Sequence, residues 1–330
     1  MARRDGVKIP IMKKYGGINN LTKHAIILLE NQGLSLTTAS SLYIKSAGSL
    51  KTVHSFRLHL KTRMLSFFIP YKNSQIHCLQ WGTGEKPLLC FHGFGEMADS
   101  FMPLARAIEN KYTIIAIDLP LHGKTVWNEG MMCTTKDILN IINNIPVLHN
   151  NRFSLAGYSM GGRVTLSVYE QIPQRIQQLI LLAPDGLKIN FWYWLATQTV
   201  LGNRLFKYFM KKPGIFFMVT KALKSTGMIN IGVYNYTHQY LNQEDKRIQL
   251  YTIWTTMRKL KPAVKNIKRR IQKNNTPVFL IYGRYDRVIR HTTGSYFKKG
   301  MEDFCTLHIL PCGHRILHEK NTAAIAALLQ

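Results

Sequence analysis

The chain has 330 residues, 46% of them apolar, enough material for a large buried core without covalent staples. Its five cysteines (Cys78, Cys90, Cys133, Cys305, Cys312) are odd in number and show no Cys-x-x-Cys spacing, which argues against a disulfide framework and against a zinc site. The formal charge of +27 favours attraction to polyanions or anionic lipid surfaces, yet no run reaches the 18 apolar residues of a membrane-crossing helix, and no secretory signal follows Arg3 and Arg4. The expectation is a cytoplasmic protein, with peripheral contact to an anionic membrane surface left open by the charge.

Residues 1–63 hold eleven lysines and arginines against two acids, Asp5 and Glu30, and no sustained periodicity. They are predicted to be a basic, poorly ordered extension, and Met64 is an alternative start. Strand and helix patterns then alternate, which predicts an α/β fold: a mostly parallel sheet of about eight strands with helices on both faces. Segments 65–71 and 75–81 read as an antiparallel hairpin. Strands follow at 87–91, 112–117, 152–156 and 175–182, separated by helices at 99–109, 135–148 and 160–172. Strand signals vanish for about ninety residues and return at 278–282 and 306–310, with helices at 291–299 and at the C-terminal end. The core is therefore assigned to 64–186 and 273–330, and 187–272 to a helical cap insertion.

The strongest chemical signal is Gly157-Tyr158-Ser159-Met160-Gly161, a Gly-x-Ser-x-Gly pattern between a predicted strand and a predicted helix. A serine on so sharp a turn needs small neighbours at Gly157 and Gly161, and its hydroxyl is thereby presented as a nucleophile. The backbone N–H of Met160, at the start of a helix, is aimed at a developing oxyanion. Upstream, a buried strand runs into His92-Gly93-Phe94-Gly95, where the N–H of Phe94 is a second oxyanion donor and His92 and Gly93 support the loop. Acyl transfer also requires a carboxylate and a histidine from loops at the carboxyl ends of later strands. Asp286 follows strand 278–282 and its Gly283 turn, and His314 follows strand 306–310 and Gly313. Asp185 is an alternative acid and His318 an alternative base.

From Leu65 onward these motifs resemble the α/β-hydrolase superfamily, in particular its capped members with a Ser-Met-Gly-Gly elbow. Asp118-Leu119-Pro120-Leu121-His122-Gly123 is similar to a loop of that family, with Leu121 where a glycine is usual, and Asp118 and His122 are read as structural. The resemblance implies a Ser159, Asp286 and His314 triad that needs no metal and no organic cofactor, with a cap supplying most of the substrate pocket. Aromatic residues in 187–272 (Phe191, Trp192, Tyr193, Trp194, Phe206 and others) imply an apolar or lipid-like acyl ester as substrate. Carbon–carbon bond cleavage on the same fold is the second reading. A non-catalytic basic module that binds membrane or nucleic acid is the third, and no nucleic-acid-reading motif is present to favour nucleic acid. Oligomeric state is not legible.

Overall fold

In a computed structural model of the chain the described residues are 64–329, apart from 189, 190, 230, 232, 233, 236, 237, 239 and 240. The expectations for residues 1–63 lie outside them, and the chain divides into two units between Arg63 and Met64. The first strands are β1 (Leu65–Tyr71) and β2 (Ser74–Trp81), antiparallel in a register that runs from Leu65 opposite Gln80 to Tyr71 opposite Ser74. Lys72 makes the tight turn between them with φ +51°.

Six further strands are β3 (Lys86–Phe91), β4 (Tyr112–Ile117), β5 (Phe153–Tyr158), β6 (Ile176–Leu182), β7 (Val278–Gly283) and β8 (Cys305–Leu310). The spatial order is β1-β2-β4-β3-β5-β6-β7-β8, and every pairing from β4 to β8 is parallel. The central strands are largely apolar because both of their faces are covered; every residue of β5 is buried.

The connecting helices are α1 (Met102–Ile108), α2 (Thr135–Asn143) and α3 (Met160–Gln171). After the inserted segment come α8 (Val264–Asn274), α9 (Thr292–Lys298) and α10 (Glu319–Ala327). The β3-to-β4 connection runs across the sheet in one direction and all later parallel connections run in the other. With right-handed crossovers this places α1 on one face and α2, α3, α8 and α9 on the other. Helix α10 packs on α1, and α2 and α8 flank α3. The direction reverses between β3 and β5, so the loops leaving these strands diverge and open a crevice at their carboxyl ends.

The inserted segment between β6 and β7 contains α4 (Phe191–Gln198), α5 (Val200–Lys211), α6 (Pro213–Ser225) and α7 (Glu244–Thr256). It has a small apolar centre of its own around Phe206, Met210 and Leu241. Its boundary with the main core falls earlier than the sequence indicates. Ile253, Met257 and Leu260 already pack in the main core, as do Ile267 and Ile271 of α8. Burial pushes the Cys78 and Cys305 thiols up to about 12, so both pack as small apolar groups. Among the described residues no helix is long and apolar enough to cross a membrane.

Candidate active site

Strand β5 delivers Ser159 to the crevice. Its backbone sits at φ +51° and ψ −117°, a strained conformation for any residue with a side chain. The strain is held by Ser159 N–H donating to Leu182 O at 3.0 Å and Ser159 O accepting from Gly162 N–H at 2.9 Å and Asp185 N–H at 2.8 Å. The two elbow glycines are close-approach positions. A side chain at Gly161 would run into the Phe91 and His92 carbonyls of the β3 exit, and one at Gly157 into Thr165 and the Gly161 carbonyl.

The partners of Ser159 come from the exits of β7 and β8. Arg284 N–H donates to Leu310 O at 2.8 Å and Tyr285 N–H to Cys312 O at 2.9 Å, lacing the two exit loops together. Gly283 permits this, because a Cβ there would meet the Cys312 and Gly313 carbonyls. His314 Nδ1 lies 2.7 Å from Asp286 Oδ2, and His314 Nε2 lies 3.0 Å from Ser159 Oγ. A carboxylate accepts only, so Nδ1 carries the ring proton and Nε2 is left to accept from the Ser159 hydroxyl. Asp286 is fully buried, and its other oxygen accepts from Val288 N–H at 2.7 Å and Ile289 N–H at 2.9 Å. Tyr158 steadies the His314 backbone, donating from its hydroxyl to His314 O at 2.9 Å.

On the opposite wall, a Cβ at Gly93 would lie 3.3 Å from the Ser159 Cβ, so the loop carrying Phe94 passes close over Ser159. Met160 opens α3, where backbone N–H groups have no partner within the helix. His92 fastens the loop to the β4 exit, accepting from Leu119 N–H at 3.0 Å and donating from Nδ1 to Gly93 O at 2.8 Å. Complete burial, with His122 beside it, holds His92 well below the ordinary histidine range, so it is a neutral brace. Burial likewise lowers His122.

The alternative partners are engaged elsewhere. Asp185 binds the Arg163 guanidinium at 2.5 Å, and His318 is the N-cap of α10, accepting from Lys320 N–H at 3.3 Å. Two features had no counterpart in the sequence reading. One is a second serine–histidine–aspartate chain: Ser66 Oγ lies 2.8 Å from His77 Nε2, and His77 Nδ1 lies 2.7 Å from Asp118 Oδ2. Ser66 is the second residue of β1, paired with Leu79, where no strained turn and no helix start present donors to its hydroxyl. Asp118 also accepts from Ala98 N–H at 2.6 Å and Lys124 N–H at 2.8 Å, as a structural carboxylate does. The other is Glu96, which lines a pocket of about 230 Å³ with Ser100, Tyr158, Arg315, Leu317 and His318. Burial raises the Glu96 carboxyl, and its Oε2 is buried with no hydrogen-bond partner. Among the described residues no group of three or more His, Cys, Asp and Glu side chains is arranged to hold a metal ion.

The family model of the serine aminopeptidases, S33, matches residues 84–321. An uncharacterized hydrolase of Bacillus subtilis, YugF, is 23% identical over 241 residues, covering 72% of this chain and 86% of its own. A pimeloyl-[acyl-carrier protein] methyl ester esterase of Legionella pneumophila is 35% identical over 119 residues, 36% of this chain and 46% of its own length. Among solved structures, the 2-hydroxy-6-oxo-6-phenylhexa-2,4-dienoate hydrolase of a Rhodococcus strain superposes with TM-score 0.56 at 19% identity, covering 82% of this chain and 98% of the other. Sheet order, elbow and family match agree, and the chain belongs to the serine aminopeptidase S33 family of α/β-fold hydrolases.

Proposed function

We propose that the protein hydrolyses a carboxylic ester with an apolar acyl group, through an acyl-enzyme on Ser159. The observation that carries this reading is the continuous hydrogen-bonded line from Asp286 through His314 to Ser159. Ser159 Oγ attacks the ester carbonyl while its proton passes to His314 Nε2, and the N–H groups of Phe94 and Met160 hold the oxyanion. His314 then protonates the departing alcohol. Water, deprotonated by His314, releases the acid and restores the serine. Asp286 keeps the imidazole in the required tautomer throughout.

The inserted helices serve as the cap over this site. Phe206, Phe209, Phe216, Phe217 and Trp254 pack together within the insertion, and this aromatic content supports an apolar acyl group as the partner of such a cap. The named esterase relatives support an ester as the scissile group. The test is hydrolysis of nitrophenyl esters of increasing acyl length by the intact chain and by Ser159→Ala. Turnover should fall by about a thousandfold or more in the variant, and the preferred acyl length should measure the pocket. Failure on all esters, with cleavage of a β-diketone instead, would replace ester hydrolysis by carbon–carbon hydrolysis at the same serine.

A further inference from the structure

Helix α6 has no buried residue, and its exposed side chains Ile215, Met218, Val219 and Ala222 fall at i, i+3, i+4 and i+7, a single apolar stripe. On α5, Leu201, Leu205 and Tyr208 share an exposed arc of about 60° at 3.6 residues per turn, while Phe206 and Met210 are buried on the other side. Exposure reaches 73% at Val200, 69% at Leu201 and 65% at Met218. On α4, Phe191, Trp192 and Trp194 are exposed with their rings against one another. These helices are consecutive, α4 packs on α5, and α5 on α6. Arg204, Lys207 and Lys211 border the α5 arc on one side. Between Asp185 and Glu244 the chain holds seven basic residues and no acidic one.

Outward apolar faces of this extent mark a surface that another body covers. Charge and side-chain type together identify the body. An acidic protein would match the lysines, but it would not call for Trp, Leu, Val and Met on three separate helices. A phospholipid interface takes all of these: aliphatic residues enter the acyl boundary, tryptophan and tyrosine sit at the headgroup level, and lysine and arginine meet anionic headgroups. We propose that the outer face of α4, α5 and α6 docks on an anionic phospholipid bilayer, from which an ester partitions into the site. Only the identity of that ester rests on the function proposed above; the docking does not.

The experiment is co-sedimentation of the full chain with vesicles of phosphatidylcholine alone and of phosphatidylcholine mixed with phosphatidylglycerol, over a range of salt. Binding to the anionic vesicles should be at least about tenfold tighter and should weaken as salt rises. The double variant Leu201→Glu, Met218→Glu should lose about tenfold or more of that binding and keep its hydrolysis of a soluble short-chain nitrophenyl ester. Lys207→Gln with Lys211→Gln should erode the anionic preference by about tenfold. Ser159→Ala should bind as the unaltered chain does, so a failure of ester hydrolysis leaves this result standing and the reverse also holds. Unaltered binding in the Leu201 and Met218 variant would assign the membrane contact to other basic residues and overturn the proposal. So would absence of vesicle binding, whether the face is then found buried in a dimer that the variant dissolves or captured by an acidic carrier protein.

Discussion

Glu96 stands two residues beyond Phe94 with one carboxylate oxygen buried and no donor against it. Burial is the main cause of its raised carboxyl, so the folded chain retains a proton that the unfolded chain has released. Its contribution to stability is complete below the ordinary glutamate range and is lost as pH rises through the folded value. Glu96→Gln is therefore expected to raise Tm by about 2 °C at pH 8 and to leave it unchanged at pH 4, as thermal scans at the two pH values would show. An equal gain at both would mean that burial of the charge is not what the residue contributes. Ser159, Asp286 and His314 were legible beforehand because each lies just past a strand end, where this topology collects its loops. Glu96 and the Ser66, His77 and Asp118 chain were not, because strand register and loop packing brought them together. Leu121, where the related loop has glycine, adopts φ +67°, so the turn persists with a residue that strains it.

Helix ends follow local chemistry. The helix expected over 135–148 stops at Asn143 because Pro146 forces Ile145 out of the helical region, and its start is fixed by a capping box between Thr134 and Asp137. Burial opposes ionisation of Asp137, but hydrogen bonds from Thr134, Tyr71 and Lys72 outweigh it and hold the carboxyl down at about 2. The end of the inserted segment was less legible: the sequence shows where strands cease, but not that Ile267 and Ile271 turn back into the main core. Within the insertion, Arg247 of α7 is buried and donates to the carbonyls of Met210, Leu241 and Asn242 at 2.9, 3.0 and 3.0 Å. It thus ties α7 to the last turn of α5, where a cation also meets the negative end of the helix dipole. Arg247→Ala leaves three carbonyls without their donor and should cost the insertion about 2–4 kcal/mol. Hydrogen exchange should quicken in α5 and α7 and stay unchanged in β5 and β6. Equal loss of protection in the sheet would show that the insertion does not open separately.

At the scale of the whole molecule, the charge is spread unevenly along the sequence. The site is built at the sheet's reversal point from the exits of β3, β5, β7 and β8, and its loops are braced by the neutral His92 and by backbone donors. Much of the positive charge resides in residues 1–63 and in the inserted helices. Among the described residues two serines hold a histidine and an aspartate in line, Ser159 on the strained turn at the start of α3 and Ser66 within β1. Ser159 alone is therefore expected to react. The most direct test is reaction of the full chain, Ser159→Ala and Ser66→Ala with a fluorophosphonate, the modified residue being read by peptide mass spectrometry. The expected result is stoichiometric phosphonylation of Ser159 in the full chain and in Ser66→Ala, with none in Ser159→Ala. Labelling that survives in Ser159→Ala and maps to Ser66, or a full chain that takes up no label, would contradict the assignment of the nucleophile.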